Sequence, residues 1–149
     1  MFTIAVCDDD MQERMQEVQI VKNIFSQKEL EAGIEEFQTG QHFLDVLHRV
    51  PYDIVLLDIQ MGEVSGFMLA EELYKITGGE NIIFVSSMEN LVFESIHFRP
   101  FRFVRKSHLE EELTEAVESW IQQNTKTECL EFDETGGVKI GRASCRERV

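Results

Sequence analysis

The chain has 149 residues, 43% of them hydrophobic and 28% charged, which is enough for one domain with a buried core and excludes a disordered chain. Its net charge of −14 is carried by residues 1–123, so direct binding of nucleic acid or of an anionic lipid surface is disfavoured. No apolar run approaches the roughly 20 residues that span a bilayer. The three scattered cysteines fit neither a disulfide framework nor a zinc site. We therefore expect a cytoplasmic protein that makes no contact with a membrane.

Short apolar runs alternate with amphipathic helical patterns along residues 1–123. Residues 52–57 and 81–85 are almost continuously apolar, as expected of parallel strands covered on both faces. Glu35 and Glu36 interrupt the second run, which indicates an exposed edge strand. The pattern predicts an α/β fold: a doubly wound five-stranded parallel sheet, flavodoxin-like, of order 2-1-3-4-5, with helices on both faces. The strands are expected at residues 2–6, 33–37, 52–57, 81–85 and 101–104.

Apolar residues spaced three and four apart predict the buried faces of three helices, and we interpret these stripes as core. Thr39 and Asp10 are placed to cap the second and first helices. The predicted buried residues are Met11, Met15, Val18, Val21 and Phe25; Phe67, Leu69, Ala70, Leu73 and Tyr74; and Leu109, Leu113, Ala116, Val117 and Trp120.

The pattern changes after residue 123. Residues 127–132 and 138–140 flank a turn-forming segment and predict a β-hairpin. We therefore divide the chain into a compact domain at 1–123 and a segment at 124–140 that begins an incomplete β-rich domain. Residues 141–149 have no periodicity and carry three arginines, and we interpret them as a vector-encoded tail outside the fold.

The chemistry is expected at the carboxyl ends of the first and third strands, where strand order reverses. The first strand leads into Asp8 and Asp9, and the third ends at Asp58, so three carboxylates are expected to converge. Packed carboxylates repel one another and recruit a cation, and their oxygen ligands suit Mg²⁺. Such an ion brings a carboxylate and an incoming phosphoryl oxygen together. The competing interpretation is that residues 8–10 only cap the first helix.

The two remaining strand ends add complementary groups. Ser86 and Ser87 follow the fourth strand, where their hydroxyls can bond a phosphoryl oxygen, and Arg105 and Lys106 follow the fifth, where their cations can pair with one. A serine or a lysine alone is weak evidence. Four strand ends with matching chemistry predict a phosphoryl-accepting site centred on Asp58.

Four segments carry a family resemblance: residues 4–10 (IAVCDDD), 53–61 (DIVLLDIQM), 82–87 (IIFVSS) and 103–106 (FVRK). In this order and spacing, residues 1–123 resemble the receiver domain of bacterial two-component response regulators. The resemblance implies that Asp58 is the phosphorylated aspartate and that Asp8 and Asp9 hold Mg²⁺ together with it. It also implies that Gln60 offers its backbone carbonyl to the metal.

The same resemblance implies three further roles. Lys106 would pair with the phosphoryl group, Ser86 would be the switch residue that follows it, and Phe103 would be the rotating aromatic residue. A plain core phenylalanine is the competing interpretation for Phe103. Ser107 and Gly62 stand where the family usually has proline, and Ser107 favours a trans peptide bond after Lys106.

Residues 100–106 (PFRFVRK), together with Cys7, resemble the LytTR-type branch, in which a β-rich DNA-binding domain follows the receiver. The resemblance implies that a sensor histidine kinase donates the phosphoryl group. It implies homodimerisation through the face of the fourth helix, fifth strand and fifth helix. Contact with DNA would come only from the missing C-terminal domain, and the receiver would be a phosphoacceptor and not a turnover enzyme.

Three alternatives stay open. A hydrolase of the haloacid-dehalogenase type wants an aspartate two residues after its nucleophile, where Asp58 is followed by Gln60. Asp8 and Asp10 have that spacing, but the residues after them do not continue the pattern. A receiver-like interaction module without phosphorylation would not need the full acidic set plus Lys106. A flavin- or nucleotide-binding protein would need a glycine-rich loop after the first strand, and none is present.

Overall fold

The computed structural model describes residues 1–125, 129–132 and 138–141. Strands and helices alternate along the first of these ranges. In chain order they are β1 (Phe2–Cys7), α1 (Met11–Gln27), β2 (Ala32–Phe37), α2 (Gly40–Val46), β3 (Ile54–Asp58), α3 (Gly66–Thr77), β4 (Ile82–Ser86), α4 (Val92–Ser95), β5 (Arg102–Arg105) and α5 (Leu109–Asn124). Short 3₁₀ turns lie at Glu89–Leu91, Ile96–Phe98 and Lys106–His108.

The first five strands form one parallel sheet in the order β2-β1-β3-β4-β5. This confirms the predicted fold class and strand order. Every residue of β3 and β4 is buried, because helices cover both faces of the inner strands. The edge strand β2 stays partly exposed, as Glu35 and Glu36 indicated. Each predicted strand lies within two residues of the observed one.

Two hydrophobic layers hold the helices against the sheet. The α1 and α5 helices cover one face, where Val21, Phe25 and Trp120 are buried against β1 and β3. The α2 and α3 helices cover the other face with Phe43 and Leu69. Full burial of each such side chain contributes about 1.5–3 kcal/mol to folding. The predicted core stripe of the fifth helix is confirmed.

The predicted buried faces of the first and third helices were wrong at three positions. Met11 and Met15 are each 60% exposed, and Tyr74 is 38% exposed. The buried arc of α1 is centred on Val21, and at 100° per residue Met15 lies about 120° away from it. Glu17, in contrast, lies inside that buried arc and is fully buried.

The fourth helix is short. The α-helical part, Val92–Ser95, is a single turn flanked by 3₁₀ turns, and Arg99 closes the segment in the left-handed region at φ 48°. Phe93 and Ile96 are 80% and 61% exposed. The segment therefore presents apolar side chains to solvent on the face through which the resemblance implies homodimerisation.

Beyond α5 the described residues form two strands, β6 (Cys129–Phe132) and β7 (Val138–Gly141), which pair antiparallel. This pairing agrees with the predicted hairpin. The turn at 133–137 and most of the predicted tail at 141–149 lie outside the described residues, and the assignment of 124–140 to a second domain stays a prediction. Within the described ranges, no helix combines the length and apolarity needed to cross a membrane.

Candidate functional site

The carboxyl ends of β1 and β3 bring three carboxylates together. These strands are parallel neighbours with Cys7 opposite Leu57, so the residues that follow them meet at one edge of the sheet. One carboxylate oxygen each from Asp8, Asp9 and Asp58 lies within 4.8 Å of the other two. Asp8 and Asp58 are buried and Asp9 is exposed, so the predicted convergence is confirmed as an acidic crevice that is open beside Asp9.

Lys106 reaches this crevice from the end of β5. Its Nζ lies 3.1 Å from Asp8 Oδ2 and 3.2 Å from Asp58 Oδ2, and it also donates to Glu13 on α1. Burial disfavours the ammonium, but the hydrogen bond to Glu13 and the charges of Asp58 and Asp8 outweigh it and raise the pKa of Lys106. The lysine is therefore a cation that links α1, β1 and β3.

The surroundings shift the pKa values of Asp58 and Asp8 in opposite directions. Burial raises the pKa of Asp58 to about 7, and the charge of Asp8 adds to this, while Lys106 and the Gln60 N–H oppose it. Burial also acts on Asp8, but hydrogen bonds from the Glu17 carboxyl and the Asp10 N–H, together with Lys106, hold its pKa below the usual value. Near neutral pH the metal-free Asp58 is therefore only partly ionised. A cation that binds there displaces its proton.

The donor set fits a small divalent cation. Lys106 brings one positive charge against the three carboxylates it contacts, and Asp9 adds a fourth at the open side. The crevice is therefore short of positive charge, and the ligands it offers are hard carboxylate oxygens. This chemistry matches Mg²⁺, which takes one or two carboxylates and keeps several waters.

Gln60 and Ser86 both lie close to Asp58, at the ends of neighbouring strands. The backbone N–H of Gln60 donates to Asp58 Oδ1 at 3.3 Å, and the side chain is exposed. Ser86 is buried at the end of β4, and its Oγ accepts a hydrogen bond from the Met88 N–H at 3.0 Å. The metal contact of the Gln60 carbonyl and the switch role of Ser86 stay predictions.

Phe103 and Arg105 lie on β5 beside the crevice. Phe103 is partly buried against the hydrophobic core beneath α2 and α3. Its position is compatible both with a rotating aromatic residue and with a plain core phenylalanine, so both interpretations remain open. Arg105 turns away from the carboxylates and pairs with Glu112, and it lies 3.7 Å from Glu89. The expectation that Arg105 pairs with a phosphoryl group was therefore wrong, because Glu112 on α5 already holds its guanidinium.

The interpretation of the acidic triplet as a helix cap applies to Asp10 alone. Asp10 is the N-cap of α1 and accepts from the Glu13 N–H at 2.9 Å. Asp8 Oδ1 accepts from the Asp10 N–H at 2.9 Å, while Asp8 Oδ2 lies toward Lys106. Thr39 likewise caps α2, as predicted.

The two departures from the family pattern have local explanations. Gly62 has φ +73°, a left-handed conformation that proline, held near φ −65°, does not adopt. None of the described peptide bonds is cis, so the bond between Lys106 and Ser107, whose geometry the sequence left open, is trans.

Two glutamates of α1 belong to this site, and sequence reasoning missed both. Glu13 contacts Lys106, and Glu17 is fully buried against Asp8. Burial, and next the hydrogen bond and charge of Asp8, raise the pKa of Glu17 to about 10. The signal was present: Glu17, Val21 and Ile24 are spaced four and three apart, which is the spacing of a buried face.

Gly66 allows the start of α3 to lie against the end of β3. Its N–H donates to the Ile59 carbonyl at 2.8 Å, and a Cβ here would lie 2.3 Å from the backbone oxygen of Asp58. Gly66→Ala must displace the backbone at Asp58, so we expect it to lower the free energy of unfolding by about 1–3 kcal/mol in urea denaturation. Gly33→Ala is the matched control, since its Cβ would meet the flexible Met1 side chain at 3.4 Å and the Phe2 backbone oxygen only at 4.0 Å. Equal stability of the two variants would contradict this packing argument.

Comparisons with known proteins agree with this geometry. The sequence model of the response regulator receiver domain matches residues 4–118. No curated protein sequence matches the chain significantly.

Several solved structures are similar. The response regulator TrrA of Thermotoga maritima, in complex with Mg²⁺ and BeF, is 24% identical with a TM-score of 0.67, over 80% of this chain and 99% of that one. The BeF₃-activated receiver domain of DrrB, from the same organism, is 21% identical with a TM-score of 0.65, over 82% and 98%. Full-length FixJ of B. japonicum is 23% identical with a TM-score of 0.67, over 82% of this chain and 58% of that one.

Identities below 25% support the fold alone, and these matches leave the LytTR-type branch a prediction. The family match rests on different grounds, because it spans most of the chain and contains the strand ends that build the crevice. The chain belongs to the response regulator receiver domain family.

Proposed function

We propose that this domain is a phosphorylation switch in which Asp58 accepts a phosphoryl group from a sensor histidine kinase. The observation that carries the proposal is the convergence on Asp58 of two further carboxylates, Asp8 and Asp9, and of the Lys106 ammonium at 3.2 Å.

In the proposed step, an Asp58 carboxylate oxygen attacks the phosphorus of a phosphohistidine. The phosphorus–oxygen bond forms as the phosphorus–nitrogen bond breaks, and the histidine nitrogen leaves with the electron pair. Mg²⁺ held by Asp8, Asp9 and Asp58, with the Gln60 carbonyl, would supply charge neutralisation for the phosphoryl oxygens.

The protein side chains do the rest of the work in this proposal. Lys106 already lies at Asp58 and needs only a small movement to pair with a phosphoryl oxygen. Ser86 would turn its hydroxyl from the Met88 N–H to that oxygen and draw the loop after β4 with it. Phe103 would then move into the space that the loop vacates. Phosphorylation shifts the population only by its differential affinity for the two states.

The output would be carried by the face of α4, β5 and α5. A cavity of about 380 Å³ lies there, lined by Val92, Phe103 and Glu112 among others, and Phe93 and Ile96 are exposed in the helical segment that contains Val92. These features support homodimerisation on activation. DNA binding would belong to a LytTR-type domain that follows residue 123, and the receiver, a phosphoacceptor and not a turnover enzyme, would act in the cytoplasm.

Beryllofluoride, a phosphoryl mimic, tests the proposal. We expect it to shift amide resonances around Asp58, Ser86 and Lys106 in wild-type protein, only when Mg²⁺ is present, and to shift none of them in Asp58→Ala. A wild-type chain that binds neither ligand would favour the alternative, a receiver-like interaction module that works without phosphorylation.

A further inference from the structure

Lys106 contacts one carboxylate more than the proposed chemistry uses. Its ammonium has three N–H donors, and it touches three carboxylates, those of Asp8, Asp58 and Glu13. Asp8 and Asp58 belong to the cluster that can hold a metal, whereas Glu13 does not. The contact of Glu13 is therefore unexplained by the cation site.

Glu13 is the outermost of the three partners. Its side chain is 40% exposed, against 12% for Lys106 and 7% for Asp58. The Asp10 cap holds its backbone N–H in the first turn of α1, so the side chain can turn to solvent without any change in the helix. Of the three contacts, this is the one that can be broken at least cost.

A phosphoryl group on Asp58 requires one of these contacts to break. Its oxygens need a donor from Lys106, and each donor already faces a carboxylate. Glu13 also brings a negative charge close to the position that an incoming anion must occupy. The contact of Glu13 with Lys106 and the negative charge of Glu13 therefore both disfavour a bound anion.

Resting on the proposed function, we propose that Glu13 is a positioning residue that holds Lys106 in the resting state and competes with the phosphoryl group for its ammonium. Glu13 thereby sets how readily the site accepts an anion. The same side chain has the opposite effect on a cation, because its charge attracts Mg²⁺ and it shares the Lys106 ammonium that would otherwise neutralise only Asp8 and Asp58.

Glu13→Gln tests this, since glutamine keeps the length of the side chain and removes its charge. We expect the dissociation constant for Mg²⁺, measured by calorimetry, to rise about threefold. At saturating Mg²⁺, the dissociation constant for beryllofluoride, measured by NMR titration, falls by about threefold. Glu71→Gln, which removes one charge from an exposed position in α3, is the matched control and leaves both constants unchanged.

The opposite signs separate the possible outcomes. If Glu13 has a merely structural role, Glu13→Gln weakens the binding of both Mg²⁺ and beryllofluoride, and this result overturns the inference. A variant that matches the wild type in both dissociation constants also overturns it. If wild-type protein itself binds no beryllofluoride at saturating Mg²⁺, the proposed function fails, and the inference fails with it. Wild-type binding without the opposed shifts in Glu13→Gln overturns the inference alone.

Discussion

Asp58→Asn will take up no phosphoryl group from acetyl phosphate and Mg²⁺, whereas the wild-type chain will take up a single one. The amide has no carboxylate oxygen to attack phosphorus, and the neighbouring Asp8 is held by Lys106 and the Asp10 N–H. Intact-protein mass spectrometry after the reaction measures the incorporated group directly. Asp45→Asn, an exposed change on α2, is the control and should behave as the wild type does.

Thermal stability distinguishes loss of the phosphoryl acceptor in Asp58→Asn from unfolding of the variant. Because burial raises the pKa of Asp58 to about 7, above its unfolded value near 3.8, the charged carboxylate opposes folding as pH rises through that window. We therefore expect metal-free Asp58→Asn to melt no lower than wild type at pH 7.5 and to gain less from added Mg²⁺. Incorporation of an acid-labile phosphoryl group by this variant would mean that another residue is the acceptor.

Glu17→Gln will stabilise the metal-free domain, and increasingly so as the pH rises. The pKa of Glu17 is raised to about 10, from an unfolded value near 4.5, so the folded protein keeps a proton that the unfolded chain releases. Between these values the wild-type free energy of unfolding falls by about 1.4 kcal/mol per pH unit, which amounts to about 3 kcal/mol by pH 7. Glutamine has no proton to lose and can still donate an N–H to Asp8.

Urea denaturation in EDTA at pH 5, 6, 7 and 8 measures this difference. The gap between Glu17→Gln and wild type should be small at pH 5 and widen with each step. Glu118→Gln, an exposed glutamate in α5, should show no such widening. A gap that stays constant, or a variant that is less stable at every pH, would rule out a proton held at Glu17.

Residues at strand ends were predictable from the chain alone. Apolar runs located β1 and β3 to within two residues, and the constraints on parallel α/β sheets left few strand orders to consider. Once those strands are neighbours, Asp8 and Asp58 must share an edge, whatever the detailed packing. The acidic crevice follows from topology, and topology is encoded in the order of short apolar segments.

Arg105 and Lys106 show where this reasoning stops. Both follow the fifth apolar run, and both carry a positive charge. Arg105 is the last residue of β5, whereas Lys106 begins the 3₁₀ turn that follows it, and only one of the two side chains reaches the crevice. Lys106 reaches it, while Arg105 lies against Glu112 of α5. The choice depends on the register between β4 and β5 and on where α5 packs, which no local pattern specifies.

By itself the sequence determined the sheet order, the three converging aspartates and the lysine that follows β5, because these depend on the order of strands and on which residues end them. Only the tertiary structure decided that α1 adds Glu13 and Glu17 to the site. A periodicity argument treats a carboxylate as solvated, and the burial of Glu17 depends on how α1 is rotated against the sheet. That rotation is a property of the packed core, to which residues far apart in the chain contribute.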